Sequence, residues 1–94
     1  FRQSLIIAGD RLDESWEVDS ISALANDHIE QILSFEPELI IIGTGARLTF
    51  PAVEVYAPII SAGIGVDFMD TGAACRTYNI LMGEGRGVVA ALIL

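Results

Sequence analysis

Leu39-Ile40-Ile41-Ile42-Gly43-Thr44-Gly45-Ala46 decides the fold of this 94-residue chain. Four apolar β-formers in a row leave no polar face. The strand they predict must be covered on both sides, as in a parallel sheet. Parallel neighbours need long crossovers, usually helices, and the sequence downstream supplies them. After the Gly43 to Ala46 loop, Pro51 suits the first turn of a helix, predicted over residues 51–61. Val55, Ile59 and Ala62 form its inner side, and Ala62-Gly63 its stop. Gly65-Val66-Asp67-Phe68-Met69 reads as the next strand. Thr71 is placed to cap a third helix over residues 71–84, with Ala74, Tyr78, Leu81 and Met82 on one stripe and Gly85 as C-cap. Residues 88–93 read as the last strand.

Upstream, Gln3-Ser4-Leu5-Ile6-Ile7 reads as a strand and Ala8-Gly9-Asp10 as the turn after it. The alternation in Ser15-Trp16-Glu17-Val18 predicts a second short strand, paired with the first as an antiparallel hairpin. Residues 21–24 are too short to assign. Asn26-Asp27 marks a helix start, with Glu30 placed for a capping box. The helix runs from His28 to Phe35, buries Ile29, Ile32 and Leu33, and stops at Pro37. The expected architecture is a single α/β domain over residues 1–94. Its sheet is mixed, with a parallel βαβαβ part, an N-terminal antiparallel hairpin and helices packed on the sheet.

The apolar fraction is 52%, enough for a real core at this length. Net charge is −8, concentrated early: nine acids and two arginines up to Glu38, four acids and three arginines after it. No lysine is present. Phosphate neutralisation needs clustered Lys and Arg, so nucleic acid is not an expected partner. An anionic membrane surface is disfavoured for the same reason. The apolar runs fall far short of the roughly 20 residues that span a bilayer, so no membrane insertion is expected. One cysteine makes no internal disulfide.

Several segments could carry chemistry. Gly43-Thr44-Gly45-Ala46-Arg47-Leu48 follows a strand as a dinucleotide fingerprint does, but the third glycine would fall at Leu48. Without lysine there is no P-loop. If the two strands are neighbours, residues 43–45 and 70–72 end on one sheet edge, and Arg47 and Arg76 flank one crevice. Free N–H groups at the start of the third helix favour an anion there. The candidate ligand residues are Gly43, Thr44, Gly45, Arg47, Asp70, Thr71, Cys75 and Arg76. The competing reading pairs Arg76 with Asp70 or a neighbouring acid and ties the loop down. Cys75, in the first turn of that helix, has the setting of an activated thiol, but a nucleophile needs a base within reach. The only histidine, His28, sits on another helix and is expected to face solvent. One Cys and one His make no structural zinc site, so no metal and no catalytic residue is assigned. Trp16 and Tyr56 fit either the core or a contact surface.

Residues 39–47 and Met69-Asp70-Thr71-Gly72-Ala73-Ala74-Cys75-Arg76-Thr77-Tyr78-Asn79-Ile80-Leu81 resemble a family of small bacterial, archaeal and mitochondrial domains. That family of unknown function includes NADH:ubiquinone oxidoreductase complex assembly factor 3. Residues 84–92 resemble its closing turn and strand, and residues 3–7 its early strand. Family members carry a further N-terminal strand segment, which together with a start at Phe1 points to a missing beginning. The resemblance implies an α/β domain with a mixed sheet, no established enzyme activity and no cofactor. It also implies a protein-interaction role, which the mitochondrial relatives exercise in complex I assembly. The expectation is a bacterial, cytoplasmic, non-enzymatic assembly-factor domain with protein partners, and self-association is left open. The alternative is a small-anion module at the crevice.

Overall fold

The computed structural model describes residues 4–9, 11–14, 16, 18, 20–84 and 87–93. Its elements are β1 (Leu5–Ala8), β2 (Arg11–Asp13), a 3₁₀ turn (Ile21–Ala23), α1 (Asn26–Leu33), β3 (Leu39–Gly43), α2 (Val53–Ser61), β4 (Gly65–Met69), α3 (Thr71–Gly83) and β5 (Val88–Leu92). The five strands form one sheet in the order β2-β1-β5-β3-β4. β3 runs parallel to both β5 and β4. β1 is antiparallel to β2 and β5. The mixed α/β architecture read from the sequence is therefore the one found.

β3 justifies its composition. Ile40, Ile41 and Ile42 are all at most 1% exposed. Ile40 and Ile42 face a core shared with Trp16, Ile29 and Ile32 of α1, and Ile59 of α2. Ile41 faces the opposite core, with Ala74 and Tyr78 of α3. The sheet is thus sandwiched between α1 and α2 on one side and α3 on the other. This division follows from the strand order. β3 to β4 steps outward, and β4 to β5 steps back across β3. Crossovers of one hand then place α2 and α3 on opposite faces. Tyr78 reaches beyond the sheet, and its hydroxyl accepts the Gly9 N–H at 2.9 Å.

Some local expectations are corrected. The second strand is at residues 11–13, and the described residues of the expected strand, Trp16 and Val18, are not in one. Trp16 and Val18 do turn inward and are at most 1% exposed, which accounts for the alternation, but the ladder pairs Ile6 with Asp13 and Ala8 with Arg11. Side chains hold β2 there: Arg11 lies over the Phe35 ring at 4.3 Å, and Gln31 donates to Asp13 at 3.0 Å. Ser15, Glu17, Gln3, Asp10 and Gly85 lie outside the described residues.

α1 starts earlier than expected. Ala25 occupies the N-cap, and its N–H donates to Nδ1 of His28 at 2.9 Å. His28 thus performs the back-reaching half of a capping box that Glu30 was expected to supply. His28 does not face open solvent either. Its ring meets Trp16 edge-on at 6.4 Å, and its carbonyl accepts the indole N–H at 3.1 Å. Pro51 lies two residues before α2, whose N-cap is Ala52; Pro58 sits inside the helix, and Ala62 is its exposed C-cap. Pro58 removes one helical N–H, and the helix ends within a turn of it. Trp16 belongs to the core, while Tyr56 is half-buried against Phe68 at 5.0 Å.

Because β3 is packed on both faces, truncation there finds no solvent to relax into. Ile41→Ala is expected to cost about 2–5 kcal/mol, and Ile80→Ala, at a 66% exposed position, under about 0.5 kcal/mol. Urea unfolding of the two variants checks the contrast.

Candidate functional site

β3 and β4 are adjacent and parallel, with Gly43 opposite Met69. Their outgoing loops lead to helices on opposite faces. In open α/β sheets such a divergence leaves a crevice where ligands commonly bind. The sequence-predicted residues 43–45 and 70–71 do converge at this point. What the structure shows is a crevice stitched together by its own hydrogen bonds.

The Thr44 N–H donates to the Met69 carbonyl at 2.8 Å, and the Thr71 N–H to the Gly45 carbonyl at 2.9 Å. The Gly45 N–H donates to Oγ1 of Thr71 at 2.8 Å, and that hydroxyl donates to the Ile93 carbonyl at 2.5 Å. The Ile93 N–H returns to the Gly43 carbonyl at 2.9 Å. One hydroxyl therefore ties together the segments leaving β3, β4 and β5. Thr44 is buried, and its Oγ1 donates to the Arg47 carbonyl at 2.6 Å and accepts the Thr49 N–H at 3.1 Å.

Two glycines make this approach possible. A Cβ on Gly43 would lie 3.0 Å from Cα of Thr71 and 3.1 Å from Cδ2 of Leu92. The first contact is backbone and cannot swing aside. Gly45 has φ +99°, a conformation that other residues rarely adopt.

The helix start is also corrected. Asp70, not Thr71, is the N-cap of α3, and its Oδ1 accepts the Ala73 N–H at 2.9 Å. Thr71 is the first helical residue, which frees its hydroxyl to bridge the strand ends. The Ala74 N–H goes to the Asp70 carbonyl at 2.9 Å. The donors that would greet an anion are largely engaged, and a carboxylate already occupies the helix start.

The charged and reactive candidates lie outside the joint. Arg47 and Arg76 are exposed, and among the described residues neither stands within ion-pair distance of a carboxylate. Arg76 instead runs back along α3, with Nη1 and the Asp70 carboxylate both beside Gly72. Cys75 is exposed and is the fifth residue of α3, beyond its first turn. His28 is on α1, across the sheet from α3, so the fold does not pair it with Cys75. Among the described residues, no three His, Cys, Asp or Glu side chains form a metal-binding group. A half-open, mostly apolar depression of about 180 Å³ lies elsewhere, lined in part by Phe35, Pro37, Met82 and Val88.

Fold and joint together define a small α/β sandwich domain in which the ends of β3, β4 and β5 are tied by hydrogen bonds through Thr71. The chain belongs to the family described as "Protein of unknown function (DUF498/DUF598)", whose model matches residues 1–93. It is 40% identical over 77 residues to the 13 kDa major membrane protein of Francisella tularensis, covering 82% of this chain and 63% of that one. It is 38% and 36% identical over 80 residues to NADH dehydrogenase [ubiquinone] 1 alpha subcomplex assembly factor 3 of Danio rerio and Homo sapiens. Those matches cover 83% of this chain but only 46% and 44% of the two assembly factors. The chain thus spans less than two thirds of these relatives. Among solved structures, a Xanthomonas campestris protein superposes with a TM-score of 0.90 at 42% identity, over 99% of this chain and 70% of that one. A Bordetella parapertussis protein gives 0.90 at 39%, over 98% and 79%. An outer membrane protein of Bartonella henselae gives 0.82 at 29%, over 98% and 78%.

Sequence reasoning located the joint but not the hydrogen bonds that close it. The detectable signal was a threonine directly after the Asp70 cap, a position where its hydroxyl is not needed for capping. Thr71→Val keeps the shape and removes the hydroxyl. It is expected to cost roughly 1–3 kcal/mol for each partner left unsatisfied, whereas Thr71→Ser should stay near wild type. Gly43→Ala should cost about 1–3 kcal/mol through overpacking. Thermal or urea unfolding of the three variants measures these differences.

Proposed function

We propose that this domain is a non-enzymatic protein-interaction module that acts in the assembly of respiratory complex I. The observation that carries the reading is the kinship with assembly factor 3, which spans 83% of this chain at 36–38% identity for the two vertebrate proteins above. The geometry agrees with it. The joint's polar groups bond to one another, and Cys75 has no histidine on its side of the sheet. An acidic surface of net charge −8 without lysine suits docking to basic partner segments. Partner proteins and a cytoplasmic setting belong to this reading. Among the described residues no helix is long and apolar enough to cross a membrane.

A small-anion module at Gly43, Thr44, Gly45, Arg47, Thr71 and Arg76 is the second reading, favoured by its place where two strand ends diverge. It requires the joint to open. Titration with phosphate and small carboxylates, followed by amide NMR shifts, should move no resonance of residues 43–47 or 70–76 at millimolar ligand if the joint is structural. A saturable shift abolished by Arg47→Ala and Arg76→Ala would favour the anion reading.

The assembly reading makes its own prediction. Affinity purification of the full-length protein from a native host that makes complex I should enrich complex I subunits or their assembly intermediates. Recovery of no specific protein would contradict it.

A further inference from the structure

The sheet has two edges, and they are built differently. β2 is three residues long, and two of them, Arg11 and Asp13, are charged and engaged by Phe35 and Gln31. Short, charged, pinned edges resist further pairing. β4 is the other edge, five residues long, with Asp67 as its one charge. The Met69 carbonyl accepts from Thr44, so Met69 turns its backbone groups toward β3. Direction alternates along a strand, so Val66 and Phe68 turn their N–H and C=O groups outward. Among the described residues, no strand lies beyond them.

Side chains along β4 set what a further strand would need. Val66 and Phe68 lie opposite Ile40 and Ile42, on the face covered by α1 and α2. On that face the Phe50 ring meets Phe68 at 5.7 Å while 64% exposed, and Leu48 and Val53 beside it in sequence are 54% and 53% exposed. Asp67 lies opposite Ile41, on the α3 face, and is exposed. The edge therefore offers apolar contact on one face and a carboxylate on the other, in strict alternation.

We propose that β4 is a strand-addition site that takes an extended partner segment alternating apolar and basic residues. Apolar side chains opposite Val66 and Phe68 cover Phe50, and a basic one opposite Asp67 pairs with its carboxylate. Main-chain hydrogen bonds to Val66 and Phe68 hold the segment. A net charge of −8 favours a cationic partner and opposes a second copy of this chain, which brings like charge against like. The inference rests on the protein-interaction reading and assigns that reading its surface.

The test uses the full-length protein and labelled seven-residue peptides read by fluorescence anisotropy. One peptide alternates valine and arginine, one alternates valine and glutamate, and one has the valine and arginine residues in blocks. The alternating basic peptide should bind about tenfold or more tightly than either of the others. Val66→Pro, which deletes an outward N–H at an edge, should weaken it by at least about tenfold. Asp67→Lys, on the surface, should invert the preference toward the glutamate peptide. Equal binding of all three peptides, or a preference unchanged by Asp67→Lys, overturns the proposal. So does a concentration-dependent dimer that Asp67→Lys strengthens while the peptide fails to compete. If complex I subunits are recovered equally by wild type and Val66→Pro, this surface is wrong while the assembly reading stands. If wild type recovers none yet shows the peptide preference, the surface stands and the assembly reading falls.

Discussion

The hydroxyl of Thr71 is the point on which the arrangement turns. It accepts the N–H of Gly45 and donates to the carbonyl of Ile93, so one side chain holds the segments leaving three strands. Gly43 lets the α3 backbone come close enough, and Gly45 supplies the left-handed turn that aims its N–H. The buried core explains why the strands associate; this fastening explains why their ends close. Thr71 is half-buried, and its hydroxyl both accepts and donates a hydrogen bond there, so it is not left as an unpaired polar group at the joint.

That constraint changes the meaning of a familiar position. Adjacent parallel strands whose loops diverge usually leave an open ligand crevice. In this domain the loops at that position hydrogen-bond to one another, and the Asp70 carboxylate caps the start of α3. The exposed parts of the fold include the β4 edge and the apolar residues before and in the first turn of α2. Kinship with an assembly factor and with proteins named as membrane proteins is compatible with a domain that works by contact.

Legibility in the sequence followed the physics of each segment. β3, β4, α3 and β5 were readable because burial dictates composition: an all-apolar run such as residues 39–42 has few alternatives, and the stripe of Ala74, Tyr78, Leu81 and Met82 has a helical period. β2 was misplaced because Trp16 and Val18 alternate for reasons of burial, whereas the actual ladder at residues 11–13 is held by Arg11 on Phe35 and Gln31 on Asp13, contacts between distant residues. His28 is a mixed case: its capping bond to Ala25 is local, three residues apart, whereas its Trp16 contact joins residues 12 apart. At the joint, Gly43, Thr44, Gly45, Asp70 and Thr71 were all visible as a cluster. Their mutual satisfaction was not, because hydrogen bonds between loops 26 residues apart leave no periodic trace.

Native-state hydrogen exchange at the Gly45 amide tests the account most directly. Gly45 lies in a loop, where an open crevice would let its N–H exchange at rates typical of exposed loops. If Thr71 fastens the strand ends, that amide exchanges only with global unfolding, in step with Ile41 and Ile42 of β3. Loop-like exchange at Gly45 alongside a fully protected β3 would contradict the fastening and reopen the crevice as a binding site.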